Sequence, residues 1–64
     1  MDPINERLIR ARQTKGSTIE ETAAACGITV TSVKAYEAGQ RIPRDSVKNT
    51  LAEYYGVYMP DLFF

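Results

Sequence analysis

Histidine is absent from this sequence, and Cys26 is the only cysteine among its 64 residues. A single cysteine cannot form an internal disulfide, and without histidine or a second thiol the usual ligands of a transition-metal site are missing. No paired-carboxylate motif and no glycine-rich phosphate loop offers a catalytic alternative. We therefore predict that the protein is not an enzyme and needs no metal or other cofactor, and we interpret Cys26 as a small buried hydrophobic residue.

Long apolar runs are missing too, since none approaches the roughly 18 residues that a membrane-spanning helix requires. Met1-Asp2-Pro3 lacks the basic and apolar regions of a signal peptide. With 44% hydrophobic and 25% charged residues, the composition is that of a folded protein, and the length allows a single domain over residues 1–64. These features predict a cytoplasmic protein with no membrane partner.

The chain also lacks an excess of positive charge, because eight basic residues balance eight acidic ones. DNA-binding surfaces are usually basic, so this balance weakens an assignment to nucleic acid unless the charges are segregated along the chain. They are segregated: residues 28–44 carry three bases and one acid, whereas residues 45–64 carry one base and three acids. The positive charge is therefore concentrated in the middle of the chain, on Lys34, Arg41 and Arg44.

Four glycines divide the sequence into short segments that show no strand-like alternation. This pattern predicts an all-α fold, a compact bundle of four to five short helices. Asp2 is the expected N-cap of the first helix, with Pro3 at the first helical position. A later helix is expected to begin after a cap at Asp45 or Ser46 and to reach about Tyr55.

Residues 18–38 have the pattern of two helices joined by a tight turn. Thr18 and Glu21 have the spacing of a capping box, which predicts that a helix begins immediately after Thr18. Gly27 is expected to end that helix, and Thr29 is expected to cap the next one. Two short helices that meet across a glycine-containing turn form a helix-turn-helix unit.

A longer pattern surrounds this unit and begins with Arg12, four residues before Gly16. The pattern includes Gly16, Thr18, Glu20, Glu21, Ala23, Cys26, Gly27, Ile28, Thr29, Thr31, Val33, Tyr36, Glu37, Gly39, Arg41 and Pro43, followed by Gly56-Val57 and Asp61-Leu62-Phe63. It resembles the phage repressor/Cro family of helix-turn-helix proteins over nearly the whole chain. The resemblance implies a sequence-specific transcription regulator, a repressor in a phage, another mobile element or a bacterium, that binds double-stranded operator DNA as a homodimer.

The resemblance assigns base reading to one face of the second helix of the unit, which is expected to enter the major groove. The expected base-contacting residues are Val30, Thr31, Lys34 and Ala35. Thr31 can donate or accept a hydrogen bond at a base edge, and Lys34 can reach guanine acceptors or a phosphate. The simpler alternative is that these residues form an ordinary solvated face.

Phosphate contacts are expected at helix N-termini and in the loop after the second helix of the unit. Thr18 and Thr29 open helices, whose N-termini attract anions. Arg41 and Arg44 lie where the family contacts the DNA backbone. The alternative is that both threonines are only helix caps and both arginines only surface charges. The resemblance also implies an ion pair between Arg12 and Glu37.

Two positions depart from the family pattern. Ile19 stands where the family usually has glutamine, so one phosphate anchor is missing or replaced. Thr22 stands where leucine is common, which makes the core more polar than usual. Ile19, the neutral charge and the aromatic residues at the C-terminus leave open a second function, that of a protein-interaction module with this fold that has lost DNA binding.

Aromatic residues are concentrated near the C-terminus, where five of them occur between positions 54 and 64. A chain this short is not expected to bury them all, and an exposed apolar patch indicates an interface. We predict that a homodimer interface is formed by Tyr58, Met59, Leu62, Phe63 and Phe64. The competing interpretation is that these side chains cover the monomer's own core. Nothing in the sequence indicates a small-molecule ligand.

Overall fold

The computed structural model describes residues 3–64 and contains five α-helices and no strand within that range. The helices are α1 (Ile4–Lys15), α2 (Ile19–Cys26), α3 (Val30–Glu37), α4 (Asp45–Tyr55) and α5 (Met59–Phe63). They pack into a bundle with extents of 28 × 23 × 21 Å. The predicted all-α fold is thereby confirmed. None of the helices in this range is long and apolar enough to cross a lipid bilayer.

Helix α2 begins and ends where the sequence predicts. The N–H of Thr18 donates to Glu21 Oε1 at 2.9 Å, and the N–H of Glu21 donates to Thr18 Oγ1 at 3.0 Å. Both halves of the predicted capping box are therefore present. Gly27 ends α2 with a φ of 68°, a left-handed conformation that a residue with a Cβ adopts only with strain. The chain can consequently reverse into α3 within three residues.

The starts of α1 and α4 differ from the predictions. Pro3 has a ψ of 151° and is the N-cap of α1 instead of its first helical residue, while Asp2, the predicted cap, lies outside the described residues. At α4 the N-cap is Arg44, with no capping hydrogen bond from its side chain, instead of Asp45 or Ser46. Asp45 is already helical, and its negative charge in the first turn is favourable to the helix dipole.

The hydrophobic core lies between α1, α3, α4 and α5. Its buried members are Leu8, Tyr36, Leu51, Ala52, Tyr55, Leu62 and Phe63. Cys26 at the end of α2 is only half-buried and packs against this cluster. Burial raises the pKa of its thiol, so the uncharged form is favoured. Burial likewise raises the pKa of Tyr55 to about 12, which keeps its hydroxyl neutral inside the core.

Two residues of the predicted dimer interface belong to this core instead. Leu62 is 4% exposed and Phe63 is 2% exposed, so neither is available to a partner. The reason is the size of the domain, because a chain this short needs its last helix to complete a core. Tyr58 and Phe64 are exposed and Met59 is half-buried, so these three stay accessible.

A pair of neighbouring phenylalanines tests the placement of α5. Phe63→Ala is expected to lower the free energy of unfolding by about 3–5 kcal/mol, because it empties a fully enclosed site. That loss is comparable to the whole stability of a domain of this size, at about 3–5 kcal/mol. Phe64→Ala is the matched control and is expected to cost less than about 1 kcal/mol, since Phe64 is 68% exposed and the Lys48 ammonium lies 5.1 Å from its ring centroid. Urea denaturation followed by circular dichroism measures the loss in Phe64→Ala, and the circular dichroism spectrum without urea shows whether Phe63→Ala is largely unfolded. Equal losses would contradict the assignment.

Candidate nucleic-acid interface

Helix α3 presents a narrow polar face to solvent. Thr31 and Lys34 are exposed on successive turns, and Val30 beside them is half-buried. Val33 and Tyr36 lie on the opposite side and are buried. The helix is therefore fixed by its inner face and offers hydroxyl, ammonium and methyl groups on its outer face.

Ala35 is not part of this outer face. Its side chain is 9% exposed, and it counts among the buried hydrophobic residues. The chain that leaves α3 turns back past it, where the N–H of Gln40 donates to the Ala35 carbonyl at 3.0 Å. The expected base contact by Ala35 is therefore corrected.

The N-terminus of α3 carries a pair of hydroxyls. Thr29 Oγ1 accepts a hydrogen bond from the Ser32 N–H at 3.0 Å and donates to Ser32 Oγ at 3.0 Å. The hydrogen of Thr29 is thus engaged inside the protein, whereas the Ser32 hydroxyl keeps its own hydrogen to donate. Ser32 was not among the expected contacts, although a serine three residues after a threonine cap could have indicated it.

The N-terminus of α2 has a comparable arrangement. Thr18 is exposed, and its Oγ1 accepts from the backbone of Glu21, so the hydroxyl hydrogen is available for a ligand. The Glu21 carboxylate occupies the N–H of Thr18, and that hydrogen bond lowers the pKa of Glu21 below its ordinary value. Ile19 is half-buried and has no group that could replace the amide of glutamine. This end of α2 therefore offers one hydroxyl beside a fixed negative charge.

The loop after α3 supplies two exposed guanidinium groups. Arg41 lies over the ring of Tyr36, with 5.3 Å between its Cζ atom and the ring centroid. A guanidinium that stacks on an aromatic ring has fewer conformations to lose when it binds a phosphate. Arg44 is exposed at the N-cap of α4. Pro43 between them is buried and anchors the loop.

Arg12 and Glu37 are in contact, as the resemblance implies. Arg12 Nε donates to Glu37 Oε2 at 2.8 Å, and Nη2 donates to Oε1 at 3.1 Å. The third donor, Nη1, reaches the carbonyl of Ser17 at 3.1 Å. The hydrogen bonds to the Glu37 carboxylate raise the pKa of Arg12 above its ordinary value. This geometry links α1, the turn before α2 and the end of α3.

The comparison with protein families matches this arrangement. A family model described as Helix-turn-helix covers residues 8–62, which include most of α1 and nearly all of the remaining helices. The chain belongs to the Cro/C1-type helix-turn-helix family. No curated protein and no solved structure matched the chain.

Membership of the helix-turn-helix family makes the chain a DNA-binding transcription regulator. The family is a DNA-binding family and not a family of enzymes. The hydrogen bonds of Arg12 with Glu37 and Ser17 link three segments of this domain.

Removing one partner of this ion pair is expected to destabilise the fold. Glu37→Gln leaves the part-buried guanidinium of Arg12 without a carboxylate, and we expect a loss of about 1–3 kcal/mol in the free energy of unfolding, below the loss of about 3–5 kcal/mol for a fully buried pair. The double variant Arg12→Met, Glu37→Leu removes both charges and is expected to recover most of that loss. Thermal and urea unfolding of the three proteins measure the effect.

The pair of Lys48 and Asp45, whose acidic partner lies in solvent, provides the control. Its N···O distance is 3.8 Å, and the Asp45 side chain is 97% exposed. Asp45→Asn is expected to change the free energy of unfolding by less than about 1 kcal/mol. If the double variant were no more stable than Glu37→Gln, the loss in Glu37→Gln would not be due to the unpaired charge of Arg12.

Proposed function

We propose that this helix-turn-helix protein is a sequence-specific repressor that places α3 in the major groove of operator DNA. The observation that carries the proposal is the exposure of Thr31 and Lys34 on a helix whose inner face is buried and whose last residue is fixed by Arg12. Such a helix can present only one face to a groove. That face carries the groups that read base edges.

This face of α3 has few kinds of chemical group with which to contact bases. Lys34 can donate to the O6 and N7 atoms of guanine, and the Thr31 hydroxyl can form a hydrogen bond with either a donor or an acceptor on a base. Val30 and the Thr31 methyl suit the methyl group of thymine. With no arginine, asparagine or glutamine on the face, Lys34 is the one side chain there that can make two hydrogen bonds to a base, so we expect modest discrimination at most base pairs.

Contacts to the DNA backbone would come from the two helix starts and from the loop after α3. Thr18 and Ser32 can donate through their hydroxyls, and the first free N–H groups of α3 can bind a phosphate after the Thr29 cap. Arg41 and Arg44 would add charge on the other side of α3. Three or four phosphates in each protomer is a reasonable total for this set.

A homodimer is the form in which we expect the protein to bind. Two recognition helices about 34 Å apart meet successive major grooves on one side of the duplex. The accessible apolar residues at the C-terminal end are Val57, Tyr58, Met59 and Phe64. They take the place of the interface predicted from the sequence, because Leu62 and Phe63 are part of the core.

The alternative function, protein interaction without DNA binding, is favoured by one further feature besides the neutral charge and Ile19. Glu20 and Glu21 are exposed in the first turn of α2, where a phosphate would approach. Like charges at that position oppose binding. Capture of fragmented genomic duplex DNA, with sequencing of the retained fragments, separates the two functions. Retention of no fragment at low salt would favour the alternative.

Substitutions are expected to distinguish the residues that contact bases from those that contact the DNA backbone. Thr31→Ala and Lys34→Ala should weaken discrimination at particular base pairs by about 1–3 kcal/mol, because they remove groups that read base edges. Arg41→Ala should weaken binding to every duplex alike and lower the slope of log affinity against log salt by about 1. Fluorescence anisotropy with matched and mismatched duplexes measures both quantities.

The wild-type protein sets the reference for these measurements. With about 6–8 phosphates contacted by a dimer, its affinity should fall about a thousand-fold or more between roughly 50 and 200 mM salt. Equal effects of all three substitutions on every duplex would contradict the orientation of α3 proposed here.

The dimer is tested by removing the two most exposed aromatic side chains. Tyr58 is 71% exposed and Phe64 is 68% exposed. Tyr58→Ser with Phe64→Ser is expected to leave a folded monomer whose operator affinity is greatly reduced, because the two half-sites are no longer bound together. Sedimentation with and without operator DNA measures this. A wild-type protein that occupies each operator as one copy would rule out the dimer.

A further inference from the structure

Three hydroxyl groups meet inside the protein where α1 turns into α2. Ser17 Oγ lies 2.9 Å from Thr22 Oγ1 and 2.7 Å from the hydroxyl of Tyr54. Ser17 and Thr22 are buried, and Thr22 is 0% exposed. The cluster joins the turn, α2 and α4 through polar contacts, in a place where a domain of this size would ordinarily have apolar packing.

We propose that Thr22 and Tyr54 are positioning residues for DNA binding, which act by fixing the N-terminus of α2 through Ser17. This inference rests on the proposed function, because its consequence is the placement of a phosphate contact. Neither residue touches DNA in the proposal. Their hydroxyls determine where Thr18, the next residue after Ser17, is held.

The directions of the hydrogen bonds follow from counting donors and acceptors. Ser17 Oγ donates its single hydrogen to the carbonyl of Thr18 at 3.2 Å. Its two lone pairs then accept the hydrogens of Thr22 and Tyr54, which fills the capacity of the hydroxyl. Within the described residues no buried side-chain nitrogen or oxygen lacks a partner. A saturated hydroxyl of this kind has one preferred position, whereas an apolar contact would tolerate several.

The same turn is held from its other side by Arg12. The guanidinium donates to the Ser17 carbonyl while it binds the carboxylate of Glu37 at the end of α3. Ser17 is therefore a fixed point between α4, which acts through Tyr54, and α3, which acts through Arg12. Loss of the Thr22 or Tyr54 hydroxyl would allow the turn at Ser17 to shift relative to α3.

The ring of Tyr54 is itself restrained. Lys15 Nζ lies 4.6 Å from its centroid, and the ring of Tyr55 lies 5.5 Å away. Removal of the Tyr54 hydroxyl alone should therefore leave the ring in place. Tyr54→Phe consequently isolates the hydrogen bond from the packing.

The effect of positioning is expected on phosphate contacts and not on base reading. Thr18 needs hydrogen-bond geometry to a phosphate, and such bonds weaken steeply when the donor is displaced. Thr31 and Lys34 lie on the outer face of α3, whereas the hydrogen bonds of the cluster join the turn, α2 and α4. Affinity should fall for all duplexes while the ranking of base preferences stays the same.

The experiment compares Thr22→Val and Tyr54→Phe with wild type, all as the full chain. Thr22→Ser is the conservative variant that keeps the hydroxyl, and Thr50→Val is the matched control, since the exposed Thr50 donates only to the Ser46 carbonyl of its own helix. Anisotropy titrations use one operator duplex and one unrelated duplex at several salt concentrations. Circular dichroism fixes a temperature at which every variant is folded.

We expect Thr22→Val and Tyr54→Phe to bind both duplexes about ten-fold more weakly, the loss that a misplaced hydrogen bond to a charged group produces. The slope of log affinity against log salt should stay close to that of wild type, because the Thr18 hydroxyl is uncharged and its contact releases no counterion. The backbone amide NMR signals of Thr18 and Glu21 should shift in the free proteins. Thr22→Ser and Thr50→Val should match wild type in all three measurements.

Two results would overturn the inference while the proposed function stands. One is a folded pair of variants with wild-type affinity and unshifted Thr18 and Glu21 signals. The other is a loss of affinity that disappears on cooling to a temperature of full folding, which would show a purely structural role. If Thr22→Val does not fold, Tyr54→Phe alone decides. A wild-type protein that binds neither duplex overturns the proposed function, and the inference with it.

Discussion

The carboxylate of Glu37 is the charge on which the rest of the arrangement depends. It belongs to the last residue of α3, where the negative end of the helix dipole makes an acid unfavourable. Its side chain is also largely withdrawn from water, with 9% exposed. Arg12 compensates for both effects, because it lies in the last turn of α1, where a base is favourable, and reaches the carboxylate with two parallel hydrogen bonds. The orientation of α3 is thus set by a contact between residues 25 positions apart.

A second constraint is the small amount of apolar surface available to a chain of 64 residues. The domain meets it by burying the inner face of α5, a helix of five residues, against α1 and α4. Leu62 and Phe63 are consequently unavailable to any partner, and only the edges of this helix stay open. The homodimer proposed above would therefore have to use the apolar residues around α5 that stay accessible, which are Val57, Tyr58, Met59 and Phe64. Such a surface is small, so operator DNA would contribute to the stability of that dimer by holding both copies at once.

Local signals in the sequence were sufficient for the order of the helices and for most of their boundaries. The capping box at Thr18 and the left-handed glycine at position 27 act over three or four residues, so their outcome does not depend on distant packing. A contact between distant segments, the pair of Arg12 and Glu37, could be predicted only from the family resemblance. Ala35 and Phe63 were assigned to the surface because helical position alone does not show what covers a side chain. The hydrogen bonds of Ser17 with Tyr54 had no signal at all in the sequence, since they join residues 37 positions apart.

The neutral net charge also becomes understandable once the side chains are placed. Several charged groups of this chain serve the fold: Arg12 binds Glu37, Lys48 lies over the rings of Phe63 and Phe64, and Glu21 closes a capping box. At a distance the charges of Arg12 and Glu37 cancel, whereas Lys48 and Glu21 keep theirs, and over the whole chain eight bases balance eight acids. The exposed bases Lys34, Arg41 and Arg44 lie on α3 and in the segment that leads from it to α4. Long-range attraction should therefore be weak and contact at short range decisive, which makes the exact position of each phosphate-binding group matter more here than in a strongly basic domain.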